Sequence, residues 1–386
     1  MFKFNVHSND FADAMRKISI AIPPAQKEND CIKIALFKKV KAVNKSVAIL
    51  LAFDGKVQAV SSMDIQDVVA DVDELEVHVN GKKVMATAAA YAAMETVLEV
   101  TLDKEMKISG AGSHVTLQLG QEIAALKSNE PLLQEVEMET EEFVQFANFA
   151  SSCFGEEKGS RGLHCVGIKI SEEDKKMIGV SSNGMRCAYA ETQKLAFKQI
   201  KQTEESENSR KDTVVIEGKQ LKNAVRNLWK KKVQIGIDSK RIRIKSGTDV
   251  IMILTQDITF PMAAVLQAVG QCEKVGAWKA PLAKVFQAIS IFEITMETAW
   301  MEIQKNGESQ VSLQGKDEQT SAAVICAQEG NLKNIVVDEK EFKNALSVFS
   351  KEKDIIIETM SPKNPLVIRQ HKDDPNRIIL MPVVEE

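Results

Sequence analysis

The chain has 386 residues, 44% of them hydrophobic and 27% charged, with 50 Lys and Arg against 54 Asp and Glu and a net charge of −4. That length fits two or three domains with an ordinary core, and the acidic balance excludes a wholly basic nucleic-acid binder, so any DNA contact must come from a local basic zone. No apolar run approaches the ~20 residues of a membrane helix, and the opening MFKFNVHSND lacks the apolar centre of a signal peptide, so a cytoplasmic protein is expected.

In the first third, Phe11, Ala14, Met15 and Ile18 form one helical stripe, with Ser8 or Asn9 as the expected cap. Strand-like runs follow at Ile32 to Phe37, Val47 to Phe53 and Val57 to Ser61, and Asp54-Gly55 between the last two is a hairpin signal. The stretch EVHVNGKKVMATAAAYAAMETVLEVTL then reads strand, helix, strand, with Val84, Ala88 and Tyr91 in phase and Thr87 as the imperfect member. A hairpin, MKISGAGSHVTLQL, closes the third.

The second third repeats that order. Phe143, Phe146, Ala147 and Ala150 make its first stripe, strands follow, and Asn183-Gly184 takes the place of Asp54-Gly55. Its strand-helix-strand unit is DTVVIEGKQLKNAVRNLWKKKVQIGI, with Leu221, Ala224, Val225 and Leu228 as the apolar stripe, and RIRIKSGTDVIMILT closes it. The final third opens on Leu282, Val285, Phe286 and Ile289, with Pro281 fitting the first helical turn. Its unit is NIVVDEKEFKNALSVFSKEKDIIIET, where Phe342, Ala345, Leu346 and Phe349 keep the same offsets, and it ends in RIILMPVVEE. An internal repeat constrains a fold more than any single motif. Six helices at matching places predict an α+β chain of three repeated domains, each with two helices on one face of an antiparallel sheet, over 1–127, 128–268 and 269–386.

Little points to catalysis. There is no GxxxxGK[ST] phosphate loop, and the five histidines show no metal-ligand spacing with cysteine or carboxylate. The six cysteines have no CxxC pairing and read as reduced, buried thiols. No catalytic residue, metal or cofactor is expected.

The basic helix faces stand out instead. Lysines opposite an apolar stripe are ordinarily just solvated. Here, however, Lys82 and Lys83 lie in the acid-free run Gly81 to Met94, and Lys219, Lys222, Arg226 and Lys230 in the acid-free run Gly218 to Ile237. Lys340 and Lys343 recur at the places of Lys219 and Lys222, diluted by Glu339 and Glu341. The first helices add Arg16, Lys17, Lys279 and Lys284, whereas the middle third offers only Gln145, Asn148 and Ser151. Basic helices in a net acidic chain predict a surface that holds phosphates without reading bases.

The triplicated plan resembles the β sliding clamp, the processivity subunit of bacterial DNA polymerase III. The resemblance is carried by SSNGMRCAYA, similar to the family's Asp-Gly-His-Arg-Leu-Ala segment, by GLHCVGIKI before it, by DITFPMAAVL, similar to the linker between the second and third domains, and by the ending IILMPV. It implies a head-to-tail homodimer of three-domain subunits. This ring, with helices lining its hole, would encircle duplex DNA and tether a polymerase without being an enzyme. It implies further DNA contacts at Lys27 and at Leu163 with His164, where the family carries aromatic residues.

The family also binds a short peptide from polymerases and the clamp loader. The matching positions are Cys165, Ser182, Gly184, Met185, Arg186 and Cys187, then Pro261 and Val265, and finally Pro365, Ile379, Leu380, Met381, Pro382 and Val383. Ordinary core at a domain junction would also account for these residues. Met185 replaces the usual histidine, and the tail ends in two glutamates rather than a basic-apolar pair, departures that fit a divergent or accessory clamp. The resemblance places the subunit interface at Ile291 and Phe292, facing Val115 and Leu117 of the other chain. Two alternatives stay open: a clamp-like scaffold that binds proteins but never closes around DNA, and an enzyme whose site is assembled only in space.

Overall fold

Strict alternation sets the first strand, Phe2–His7: Phe2, Phe4 and Val6 are buried and the residues between them are not. The chain then turns into helix α1, Ser8–Ile18, whose stripe of Phe11, Ala14, Met15 and Ile18 is buried as the spacing predicts. Its cap differs from the expectation. His7 Nδ1 accepts from the amide of Asn9 at 3.3 Å, while Ser8 Oγ accepts from the amide of Thr96 at 3.0 Å. The serine is occupied in joining the helix start to the next strand-helix-strand unit, so the preceding side chain takes over as cap.

The structure, a computed structural model, describes residues 1–23, 31–40, 44–123, 125–126, 134–156, 162–192, 195–197, 213–226, 228, 230–238, 240–258, 260, 262, 265, 274–295, 300–315, 321–332, 334–360 and 365–383, with the side chains of 196–197 and 292–295 excepted. Among these the remaining helices are α2 (Gly81–Ala92), α3 (Thr140–Ala150), α4 (Gly218–Val225), α5 (Leu282–Thr295) and α6 (Glu339–Leu346). The same order therefore recurs three times. Strands Phe2–His7, Gln134–Glu139 and Gly276–Pro281 each run straight into a helix, and α2, α4 and α6 each sit between two strands. Asn80 caps α2 and Asp338 caps α6, each side chain accepting from the amide three residues on. Thr87, the apparent fault in the α2 stripe, donates its hydroxyl to the carbonyl of Lys83 at 2.8 Å, which lets a polar residue be buried there.

The chain packs as two compact units. The first comprises Met1–Glu141, Ala196–Arg210 and Asn223–Thr255. Its strands form one thirteen-stranded antiparallel sheet, in which Asp249–Leu254 pairs with Val57–Ala70 through Val250↔Val60 to Ile253↔Val57. The pairing makes the sheet of one repeat continuous with that of the next. Beside it, Asp249 accepts from Ser61 Oγ at 2.8 Å and pairs with Lys17 Nζ at 2.9 Å, both charged side chains being largely buried.

The second unit comprises Glu142–Leu195, Lys211–Lys222 and Gln256–Glu386. Its nine-stranded sheet is joined in the same way, Arg186–Glu191 pairing with Arg377–Leu380 from Arg186↔Leu380 to Tyr189↔Arg377. A four-stranded sheet, running from Ser321–Ile325 at one edge to Ile335–Asp338 at the other, completes it. One face of the nine-stranded sheet carries a large core with Trp278, Leu282, Phe342, Ile378 and Leu380. The opposite face carries a smaller core with Cys165, Cys187, Tyr189 and Ile379 under Phe260 and Met262. Gly167 permits that cover, because a Cβ there would lie 2.7 Å from the Phe260 ring. No helix among the described residues is long and apolar enough to cross a membrane.

The Ser61–Asp249–Lys17 network yields a prediction. Asp249→Ala removes two bonds to a largely buried carboxylate and should cost about 2 kcal/mol, read as a lower urea midpoint for the first transition. Asp249→Asn keeps an acceptor for Ser61 and should lose less. Equal midpoints for wild type and Asp249→Ala would show that the network carries no stability.

Candidate functional site

The exposed helix faces come first. A helix carries partial positive charge at its N-terminus, so a cation there costs about 0.3–1 kcal/mol and one in the last turn gains as much. Lys82 and Lys83 stand in the first turn of α2 and Lys219 in that of α4, neither of which holds an acid. Lys284 stands likewise in α5, where the first turn is again free of acids. The helix dipole does not favour cations at these places, and an anion there would meet amide dipoles and ammonium groups together. Lys219, Lys222 and Arg226 are all exposed.

The other expected phosphate contacts are placed differently. Arg16 and Lys17 lie in the last turn of α1, where the dipole favours them. Arg16 pairs with Asp13 at 3.0 Å and Lys17 with Asp249. Lys279 lies on the strand Gly276–Pro281 rather than on a helix, because the strand runs to Pro281 before α5 begins, and its ammonium pairs with Asp354 at 3.0 Å. Lys340 and Lys343 share α6 with Glu339 and Glu341. In the middle repeat Gln145 and Asn148 are exposed on α3, but Ser151 is buried and donates to the carbonyl of Ala147. His164 Nδ1 is buried with no hydrogen-bond partner among the described residues. Lys27 and Pro261 lie outside the described residues.

The second feature is the hairpin Ser182 to Arg186. Gly184 has φ +93°, the left-handed conformation that the Asn-Gly pair anticipates. Asn183 Oδ1 accepts from the amides of Met185 and Arg186 at 3.0 and 2.8 Å, and Ser182 Oγ donates to the Arg186 carbonyl at 3.1 Å. The tail is tied to this turn, since Met381 donates its amide to the Met185 carbonyl at 2.8 Å. The two methionines are 40% and 44% exposed, large apolar side chains left in water at adjoining positions.

Behind them, Cys165, Cys187 and Ile379 belong to the smaller core, with Val265 half-buried against it. Leu380 points to the opposite face, into the large core, because side chains alternate along Arg377–Leu380. Pro365 and Pro382 are buried, and Val383 is half-buried. Arg186 is not a lone charge at the rim. Its Nε lies 3.1 Å from Glu341 Oε2, which also accepts from Asn183 Nδ2 at 3.0 Å. Asn183 and Glu341 were not anticipated in this role. The Asn-Gly pair signals only the turn, and nothing local marks the partner of Glu341, 158 residues away.

The third feature is a pair of sheet ends. Ser113–Gln118, with Val115 partly exposed and Leu117 buried, ends the thirteen-stranded sheet, and Ser321–Ile325 ends the four-stranded one. Beside the latter, a recess of about 550 Å3 is lined by Lys284, Ala288, Ile291, Ala322, Val324 and Ile325. Ile291 is 44% and Ile325 73% exposed. The side chain of Phe292 lies outside the described residues. Ile325 escaped the sequence reading, although an apolar residue on the exposed phase of the strand is its signal.

The comparisons with known proteins fall on this arrangement. No protein-family model matches the sequence. No curated protein matches it either. Solved structures do match. The chain has the sliding-clamp fold. A sliding clamp (DNA polymerase III subunit beta) from Pseudomonas aeruginosa, bound to griselimycin, superposes with a TM-score of 0.82 at 13% identity over 100% of both chains. The beta subunit from Borrelia burgdorferi, in complex with a natural product, gives 0.81 at 15% identity, also over 100% of both. A Helicobacter pylori beta clamp bound to a DNA ligase peptide gives 0.78 at 14% identity over 99% of this chain and 100% of that one. The α+β reading with antiparallel sheets is thus borne out, and so is the resemblance to this fold.

The hairpin also predicts thiol behaviour. Burial pushes the Cys153 thiol up to about 11, against the pull of nearby Arg186, and burial together with Cys153 pushes Cys187 up as well. Both thiols should resist iodoacetamide at pH 8 in the native protein and react once it is unfolded. A folded-state pKa above the unfolded 9.0 contributes stability below pH 9 that is lost as pH rises toward 11. Fast native labelling of either thiol at pH 8 would mean that the hairpin opens.

Proposed function

We propose that the protein is a DNA sliding clamp, a non-enzymatic homodimer of three-domain subunits (1–127, 128–268 and 269–386) that encircles duplex DNA and tethers a DNA polymerase. The observation that carries this reading is the clamp fold shared over the full length of the chain, with a TM-score of 0.82. The helix faces support it. Lys82, Lys83 and Lys219 open their helices, where the dipole favours an anion beside them, and Lys222 and Arg226 add exposed charge at the far end of α4. Such contacts are sequence-independent, and their individual weakness suits sliding. Arg16, Lys17 and Lys279 are held by carboxylates and contribute less to the DNA-facing field. Lys284, Lys340 and Lys343 add to the field, and Lys27 and His164 stay as loop contacts.

The ring closes between the strand Ser113–Gln118 of one protomer, with Val115 and Leu117, and the strand Ser321–Ile325 of its partner, with Ile291, Phe292 and Ile325 filling the seam. Both are sheet ends with backbone groups to offer. The polymerase and the clamp loader dock a peptide over Met185, Val265, Met381 and Pro382. The Helicobacter clamp of this fold that is bound to a DNA ligase peptide supports the reading. Flexible methionines let the groove repack around its partner. The clamp acts in the cytoplasm and needs no cofactor.

Two measurements test this. Native protein should run as a dimer at micromolar concentration, and Ile291→Asp with Ile325→Asp should give folded monomers; a wild-type monomer would favour the scaffold that never closes around DNA. On nicked circular DNA the loaded wild type should persist and on linearised DNA it should run off. Charge reversal of Lys82, Lys83, Lys219 and Lys222 should cut retention on circles at least tenfold for every sequence. Retention unchanged by the reversal, or equal on circle and line, would count against the encircling mechanism.

A further inference from the structure

One cleft in the second unit serves neither the peptide groove nor the chain edges. It measures about 730 Å3, within the ~300–1,000 Å3 range of small-molecule sites, and is lined by Asn148 and Phe149 of α3, Lys222 of α4, and Phe349, Lys353 and Asn376. Phe149 is half-buried and meets the buried Phe349 edge to face, with centroids 5.5 Å apart and planes at 68°. Lys222 and Lys353 are both exposed, and neither ammonium is engaged in a salt bridge among the described residues. The lining carboxylate, Asp374, accepts from the amide of Asn376 at 2.9 Å. Ser152 and Ser350 add hydroxyls.

An aromatic ring, two uncompensated cations and a set of amides and hydroxyls in one cleft fit a flat, polar-edged base carrying phosphate. We propose that this cleft takes one unpaired nucleotide of a DNA single strand, its base against Phe149, its edge on Asn148 and Asn376, and its flanking phosphates on Lys222 and Lys353. Stacking on an aromatic ring tolerates any base, and the lysines track the backbone. A strand fits better than a free nucleotide because Lys222 also belongs to the exposed basic face of α4 with Lys219, so further phosphates have a continuous path. The inference rests on the DNA-tracking reading of that face. A clamp with such a subsite would pause where duplex gives way to single strand, which is where a polymerase works.

The test uses a fluorescein-labelled ten-residue oligodeoxythymidylate and the full chain in 50 mM salt, read by anisotropy. Phe149→Leu keeps an apolar side chain in the core but cannot stack, and Lys353→Gln removes one phosphate contact. The first should weaken binding about tenfold, and the second should lower the salt slope by about 0.7. Both should persist on nicked circular duplex as the wild type does. No binding by the wild type, or equal binding by both variants, overturns the inference while leaving the clamp reading intact. Loss of duplex retention in the wild type with strand binding kept would instead sink the encircling mechanism. Displacement of the oligomer by thymidine monophosphate at equal concentration would overturn the assignment to a strand and identify a free-nucleotide site.

Discussion

Antiparallel pairing between successive repeats is the constraint on which the rest depends. In the first unit Asp249–Leu254 lies along Val57–Ala70, and in the second Arg186–Glu191 lies along Arg377–Leu380. Each pairing joins two sheets through backbone hydrogen bonds and so consumes the edges that would otherwise seek a partner. Ser113–Gln118 and Ser321–Ile325 are among the strands left at sheet ends, each paired on one side. Pairing also dictates which residues can be polar. Leu380 must be apolar on one face and Ile379 on the other because this strand is covered on both sides. The helices bury one stripe each, and their opposite faces, freed of any packing duty, can carry charge.

Much of this was legible in the chain because the repeat supplied three chances to see each element. The stripe Phe11, Ala14, Met15 and Ile18, the unit around Leu221 and Ala224, and the turns at Asp54-Gly55 and Asn183-Gly184 all depend on local spacing, and local spacing survives in a single sequence. The third turn, Asn306-Gly307, with Gly307 at φ +74°, was there to be read as well. It joins Trp300–Lys305 to Gln310–Gly315, the first and second strands after α5, whereas the other two turns join the second and third strands of their repeats.

Side-chain partners were not legible in the same way. A lysine on a helix looks equally available whether it meets water or a carboxylate. Lys17 and Asp249 are far apart in the chain, as are Lys279 and Asp354, and only folding brings each pair together. Position along the helix would have helped. Arg16 and Lys17 close their helix, where the dipole favours cations, whereas Lys82, Lys83 and Lys219 open theirs against it. The order of charge along a helix thus separates cations that the dipole favours from those it opposes, and it needs no tertiary contact to be read.

Arg186 shows how the groove and the helix face bear on each other. Glu341 holds both Arg186 and Asn183, and it sits in the first turn of α6 between Lys340 and Lys343. There it favours the helix dipole and lowers the field of the two lysines, which accounts for a weaker basic face on this helix than on α4. The same carboxylate pairs with the arginine, so the exposed surface at the hairpin is largely apolar, made by Met185 and Met381. A partner that reached Arg186 with its own carboxylate would have to displace Glu341 and leave that charge beside the lysines of α6. An apolar anchor needs no such exchange. For the proposed peptide docking, the ion pair therefore favours ligands that bury hydrophobic side chains, and the methionines supply the latitude to accept several.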